Sequence, residues 1–442
     1  MHLVTRNVNS AFRKLCGILE SHRASKTYPR MKIDELVTTT HLSETASRNG
    51  PVVRFPEPVT ITYTNPLERV LFNRNRHANP FFHVIEALWM LAGRNDVAVL
   101  SRFNNQIQNY SDDGTTFHGA YGYRWKYGFR TDQLYLISNI LRKDPNSRRV
   151  VLEMWSAKDL IKVQADPSCR DVPCNTHAYF DITHHSGQPI QHRTGKKGTG
   201  AKPTEGYSAL NMTVVNRSND MIWGMLGANY VHFSFLQEFL AHDIGVEVGN
   251  YHHITNNLHV YTATDSAVNR DAKVPSNDVS LTQHWLADRT PDFYIVHPKY
   301  EYVPLIKEGT TAGSFLLDLH RLWDYILDWP NNSSDTIRNM TNQPFLTDVA
   351  VPMVDAYHHY RAKNYQSAIS SCHQILDFYW RSAALDWMND QRGIKKTSLA
   401  AKQPTEGVTV TTPYPTTSPP SQDDAPNYEA GLQSDTTPKE GA

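Results

Sequence analysis

Apolar and polar positions change period several times along the chain. Residues 80–92 are apolar almost all round, with one carboxylate, Glu86, among them. Pro80 suits a helix start and Gly93 its end, which predicts a helix buried on every side. A second helix is predicted over 130–142, stopped by Asp144-Pro145. Alternation at a period of two predicts strands at 60–64, 149–155, 176–183 and 210–216. A long helix is predicted over 227–242, then a short strand at 246–248 and a turn at Gly249-Asn250. The first thirty residues read as one amphipathic helix, and 314–323 and 365–388 also have helical spacing. Residues 184–207, rich in Gly, Lys, Thr and His, read as a long hairpin loop. From about Lys395 the chain is rich in Thr, Pro, Ser and Gly, a composition that buries too little apolar surface to order itself.

This predicts an α/β (α+β) protein. Its parts are a helical lead-in over 1–40, a core over 41–309 with an inserted loop at 184–208, a helical appendage over 310–394 and a tail over 395–442. With 442 residues and 40% apolar content, a sizeable core can form. Lys+Arg and Asp+Glu both count 44, so no overall affinity for nucleic acid is expected. No apolar run approaches the roughly 18 residues that span a bilayer. Residues 1–20 are polar and interrupted by charges, unlike a secretory leader. The cysteines, Cys16, Cys169, Cys174 and Cys372, are too few for a disulfide framework and suit a reducing, cytoplasmic setting. Cys169, Cys174 and His177 match no common zinc spacing, so no metal is expected. The Gly195-to-Lys202 stretch lacks the phosphate-loop spacing because Ala201 precedes the lysine.

Candidate chemistry centres on Asp171-Val172-Pro173-Cys174-Asn175. A thiol attacks as thiolate, so it needs a nearby cation. Arg217, in Arg217-Ser218-Asn219-Asp220, lies one hairpin away. The plain alternative is a small apolar core cysteine. Glu86 is costly on an apolar helix unless it is paired or moves protons. Arg48, Arg148, Arg149 and Arg217 suit phosphate recognition, and each alone reads equally as a surface charge.

The order and setting of these pieces resemble the thymidylate synthase family over roughly residues 40–265. Ser47-Arg48-Asn49-Gly50 resembles its phosphate-loop arginine, and His83-Val84-Ile85-Glu86-Ala87-Leu88-Trp89 its glutamate helix. His118-Gly119-Ala120-Tyr121-Gly122-Tyr123-Arg124-Trp125 resembles its Tyr-Gly-x-x-Trp segment. Ser147-Arg148-Arg149 resembles its paired arginines, Pro173-Cys174 its nucleophile, and Arg217-Ser218-Asn219-Asp220 its Arg-Ser-x-Asp motif. Gly245-Val246-Glu247-Val248-Gly249 and His259-Val260-Tyr261 complete the series. The resemblance implies a two-layer fold, a mixed sheet packed by helices. It also implies one-carbon transfer from 5,10-methylenetetrahydrofolate to carbon 5 of a pyrimidine deoxynucleotide. Cys174, Glu86 and Tyr121 would be catalytic. Arg48, Arg148, Arg149, Arg217 and Ser218 would hold phosphate. Asn229 would read the base, one residue later than the family's spacing. His259 and Tyr261 would hold the sugar, and Asp220, Trp89 and Tyr110 would face the folate. The enzyme would be a homodimer in which Arg148 and Arg149 serve the partner's site.

Four departures bear on the product. Asn175 stands where thymidylate synthases usually carry histidine. Ile107 and Tyr110 stand at two folate-site tryptophan positions. Asp171 replaces an apolar residue three before the nucleophile and is placed to orient a water. No family-like closing segment follows the core. Together they predict a hydroxymethylase of the kind viruses use for modified DNA. It would add water where a synthase adds hydride, with dTMP formation as the alternative. Asn229 favours dUMP, and an aspartate there would suit dCMP. A binder without catalysis would predict loss of Cys174, Glu86 or the arginines, and all are present.

Overall fold

The computed structural model describes residues 1–27, 43–47, 50–186, 206–261, 285–288, 291–298, 300, 302–331 and 334–390. The strands are β1 His2–Thr5, β2 Ser43–Ser47, β3 Gly50–Arg54, β4 Val59–Tyr63, β5 Val151–Glu153, β6 Asn175–His185, β7 Tyr207–Asn216, β8 Asn219–Asp220, β9 Glu247–Thr255 and β10 Leu258–Tyr261. Helices up to residue 244 are α1 Val8–Thr27, α2 Pro80–Leu91, α3 Val97–Phe103, α4 Tyr121–Tyr123, α5 Gln133–Lys143, α6 Ala157–Ala165 and α7 Asn229–Ile244.

A six-stranded sheet runs β1-β4-β9-β7-β6-β5, and a four-stranded one runs β2-β3-β10-β8. The larger sheet is mixed. β1–β4 and β7–β9 are parallel, and β4–β9, β5–β6 and β6–β7 are antiparallel. Alternation gives it two unlike faces. Ile61, Val214, Ala178 and Leu152 lie in register on one face and are fully buried. In the adjacent register row, Val4, Tyr179 and Val151 are exposed on the other face.

Helices α2 and α7 belong to the same buried core as the first face. Every residue of α2 is buried, as its all-round apolar pattern predicts. Asn79 Oδ1 caps its start by accepting from Phe82 N at 3.0 Å, Pro80 takes the first turn, and Gly93 follows its end at φ 72°. The chain enters α7 through a π-helical stretch, Met221–Ala228, kinked at Gly227. A π-turn absorbs an added residue without ending the helix. The extra residue expected before Asn229 falls within or next to this stretch.

Several sequence expectations need correction. The first residues are not all helix, because His2–Thr5 forms an edge strand of the central sheet. Gly249-Asn250 is not a turn, and β9 runs straight through it. A Cβ on Gly249 would lie 2.4 Å from Asn211 Oδ1 and 2.8 Å from Leu210 O, beside a register shift in the β7–β9 pairing. The glycine permits a close strand approach, a need that looks like a turn signal in sequence. The helix expected over 365–388 is two, Tyr365–His373 and Phe378–Asp390. Asp377 caps the second by accepting from Tyr379 N and Trp380 N, both at 3.0 Å. The helix Val351–Arg361 is an element that the sequence reading did not mark.

The C-terminal helices pack against the core. Tyr357 Oη donates to Phe103 O at 2.6 Å, at the end of α3. Phe81, on the first turn of α2, meets Tyr357 and Trp387 with ring centroids 5.6 and 5.4 Å apart. The β6–β7 hairpin extends to the His185–Tyr207 pair. Most of the expected loop, 187–205, lies outside the described residues, as do Arg48 and the tail over 395–442.

Candidate active site

Cys174 stands at the entry to β6, half-buried, and is held through its backbone. Tyr121 Oη accepts from Cys174 N at 3.2 Å and from Asn175 N at 3.4 Å. Arg217 N donates to Cys174 O at 3.0 Å. The Arg217 guanidinium donates to Pro173 O at 2.9 Å and Val172 O at 3.2 Å, and its Nη2 reaches 3.8 Å from Cys174 Sγ. It also lies 5.3 Å from the centre of the Trp155 ring. A fixed cation beside a partly open thiol is the setting in which thiolate forms. Cys16 and Cys372 are the opposite case. Burial pushes both thiols up, Cys372 to about 12, so they stay protonated and inert.

Asp171 ties together two segments of the site. Its two carboxylate oxygens accept from His118 N and from Gly119 N, the latter at 2.8 Å. The segment leading to Tyr121 is thereby tied to the segment leading to Cys174. Glycine is required at 119, because a Cβ would lie 2.7 Å from Asp171 Oδ1. Burial raises the Asp171 pKa against the lowering effect of these two bonds.

Glu86 is buried on α2 and meets His232 of α7, with Oε2 to Nε2 at 2.9 Å. An unpaired carboxylate at that depth would cost several kcal/mol. His83, one turn earlier, is also buried, and its pKa is pushed down to about 3 by burial and by the charges of Arg76 and His232. Arg76 lies 4.0 Å from the Trp223 ring centre and donates to Ile222 O at 3.3 Å, with burial lowering it to about 10.

Asn229 opens α7 and is buried, with Nδ2 donating to Asn219 Oδ1 at 3.1 Å. Asn219 Nδ2 lies 3.3 Å from His253 Nε2. The same Nε2 lies 2.9 Å from Asn216 Oδ1, so its tautomer decides which of the two it bonds, Nδ1 lies 3.0 Å from Tyr251 Oη, and burial pushes the ring's pKa down to about 3. His259 and Tyr261 share one side of β10, with ring centroids 5.4 Å apart. Asp220 Oδ1 accepts from Ile222 N at 2.8 Å and Trp223 N at 2.5 Å, and burial raises its pKa. Tyr110 is exposed and close enough to Tyr261 and Asp220 for their charges to act on it. Trp223 is exposed as well, whereas Trp89 is buried edge-on against Phe117.

Arg148 and Arg149 are exposed on the turn between α5 and β5. Ser218 is half-buried beside Arg217. The structure thus brings Cys174, Tyr121, Asp171 and Arg217 together. It also adds His232, Asn219 and His253, which sequence reasoning did not single out. His232 lies three residues after Asn229 in an apolar helix, and Asn219 is the unassigned position of the Arg-Ser-x-Asp motif. Among the described residues, no group of three or more His, Cys, Asp and Glu side chains could hold a metal ion, and no helix is long and apolar enough to cross a membrane.

Residues 72–305 match the family model described as thymidylate synthase. A deoxyuridylate hydroxymethyltransferase of Pseudomonas phage M6 is 37% identical over 350 residues, 78% of this chain and 87% of that protein. One from Bacillus phage SP01 is 34% identical over 242 residues, 52% of this chain and 56% of that protein. A thymidylate synthase of Buchnera aphidicola subsp. Baizongia pistaciae is 26% identical over 184 residues, 40% of this chain and 58% of that protein.

Proposed function

The chain belongs to the thymidylate synthase family, and within it we propose that it is a dUMP hydroxymethylase, making 5-hydroxymethyl-dUMP for modified viral DNA. The observation that carries the reading is the Cys174–Arg217 pair, with Nη2 at 3.8 Å from Sγ and the nucleophile's backbone fixed by Tyr121. The hydroxymethyl outcome is favoured by the likeness to the phage M6 deoxyuridylate hydroxymethyltransferase over 78% of the chain.

Cys174 Sγ attacks carbon 6 of dUMP, and the electron pair of the ring double bond moves toward carbon 5 and the carbonyl at carbon 4. Arg217 stabilises the thiolate and, with Ser218, Arg48 and the partner subunit's copies of Arg148 and Arg149, binds the phosphate. The co-substrate 5,10-methylenetetrahydrofolate supplies the one-carbon unit. Asp220, Tyr110 and Trp223 offer it a half-buried carboxylate and two exposed aromatic rings, which suit a flat heterocycle. Glu86, paired with His232, moves protons at the pyrimidine through water, including removal of the carbon 5 proton. After tetrahydrofolate departs, an exocyclic methylene remains on carbon 5. Water forms a C–O bond to it and releases a proton, and the π electrons move onto the ring carbonyl. Their return expels Cys174 thiolate from carbon 6, so nothing is oxidised or reduced. Asn229 pairs with the base, and His259 and Tyr261 hold the sugar. Asp171 keeps a second lone pair on each oxygen for a water while anchoring the Tyr121 segment.

The protein acts as a cytoplasmic homodimer, without nucleic acid or membrane. The open face of the central sheet, with exposed Val4, Tyr179 and Val151, supports a second copy packing there. Incubation with dUMP and methylenetetrahydrofolate tests the reading. Tetrahydrofolate with 5-hydroxymethyl-dUMP is expected. Dihydrofolate with dTMP would make the protein a synthase.

A further inference from the structure

We infer that Asn219 sets the base specificity of this enzyme by fixing which way round Asn229 presents its amide. The inference rests on the dUMP reading above, and specifically on Asn229 pairing with the base.

A carboxamide is nearly symmetric in shape but not in hydrogen bonding, having an acceptor on one arm and two donors on the other. Uracil offers an acceptor at carbon 4 and a donor at ring nitrogen 3. Cytosine offers a donor and an acceptor at the same two places. One orientation of the Asn229 amide therefore matches uracil, and the flipped amide matches cytosine. An untethered asparagine can take either and discriminates poorly. Discrimination needs something that breaks the tie.

Asn229 Nδ2 donates one of its two hydrogens to Asn219 Oδ1 at 3.1 Å. That leaves Oδ1 and the other N–H side by side, an acceptor and donor in fixed order. Flipping the amide would set two oxygens against each other in a buried site, since both side chains are under one-tenth exposed. Asn219 is held in turn, with Nδ2 3.3 Å from His253 Nε2. That bond needs the tautomer in which Nε2 accepts and Nδ1–H donates to Tyr251 Oη at 3.0 Å in this fully buried ring, and Asn216 Oδ1, 2.9 Å from the same Nε2, is then a contact and not a second hydrogen bond. The backbone is cleared for the pair. A Cβ at Gly224 would lie 2.0 Å from Asn219 Oδ1 and 3.2 Å from Asn229 Nδ2, so the π-helical stretch carries glycine where it passes over them. Asn219 touches no substrate in this account. It is a positioning residue acting through Asn229.

The test measures release of tritium from carbon 5 of labelled dUMP and dCMP, which reports the steps up to the methylene whatever the final product. With Asn219→Ala, the ratio of kcat/KM for dUMP over dCMP is expected to fall at least about tenfold, the worth of one buried hydrogen bond. Most of the change should lie in KM for dUMP and in gained dCMP turnover. Asn219→Asp keeps an acceptor facing Asn229 and should retain the preference for dUMP. Equal losses with both nucleotides in the Ala variant would mean that Asn219 is only structural. If the Ala variant does not fold, the Asp variant decides alone, because a shift toward dCMP in it overturns the inference. Failure of the dUMP reading is separate: the unaltered enzyme would then release no tritium from dUMP, whereas a synthase would still release it and leave the role of Asn219 to be decided by the same ratio.

Discussion

The rim and the floor of the cleft are built on opposite plans. At the rim, Cys174 and Ser218 are half-buried, and Arg217, Tyr110 and Trp223 are exposed. At the floor, Glu86, His232, Asn219, Asn229 and His253 are all buried, and each is hydrogen-bonded to another of the set or to a strand neighbour. Rim groups keep unused capacity for a ligand. Floor groups each make at least one hydrogen bond inside the protein, which fixes orientation where water cannot correct an error. The rim supplies reactivity and charge, and the floor supplies direction.

If that division is right, substitutions at the two levels should fail differently. The largest effect belongs to Cys174→Ala, which should lower turnover by at least about four orders of magnitude and abolish any covalent adduct detected by mass spectrometry. Surviving turnover would remove the nucleophile from the account. Glu86→Gln comes next. It should lower kcat by roughly 10²- to 10⁴-fold with dUMP binding little changed, as measured by steady-state kinetics and calorimetry. A pure rise in KM would move Glu86 from proton transfer to binding. Arg217→Ala should raise KM for dUMP about ten- to a hundredfold, and kcat should also fall because the thiolate loses its cation. An effect confined to kcat would argue against phosphate contact.

The smallest effect is on stability and separates the levels by pH. His253 titrates at about 3 when folded and near 6.5 when unfolded, so between those values the unfolded chain binds the extra proton. Stability therefore rises with pH across that window, by up to about 1.4 kcal/mol per pH unit for this group. His253→Gln should flatten the slope of denaturant-derived stability between pH 4 and about 6.5. An unchanged slope would mean that His253 is not the buried neutral group described.

The rim was legible in the sequence and the floor largely was not. Pro173-Cys174, Arg217-Ser218 and the paired Arg148 and Arg149 are short contiguous signals, each carried on one stretch of chain. Glu86 could be read because a carboxylate in a fully apolar helix demands an explanation. Its partner His232 sits 146 residues away on another helix, and nothing local marks it. Asn219, His253 and Asn216 come from three strands and meet only when the two sheets are assembled. The same limit applied to Gly249. Turn and close strand approach both ask for glycine, and only the position of Leu210 and Asn211 distinguishes them. The residue added before Asn229 could be counted in the sequence, but the π-helical form of the stretch before it could not.

The claim that water, not hydride, ends the reaction can be tested with isotope. Turnover of dUMP and methylenetetrahydrofolate in ¹⁸O-labelled water should give a 5-hydroxymethyl product carrying one heavy oxygen on the new carbon, with tetrahydrofolate released in equal amount. Unlabelled dTMP, accompanied by dihydrofolate, would contradict the account.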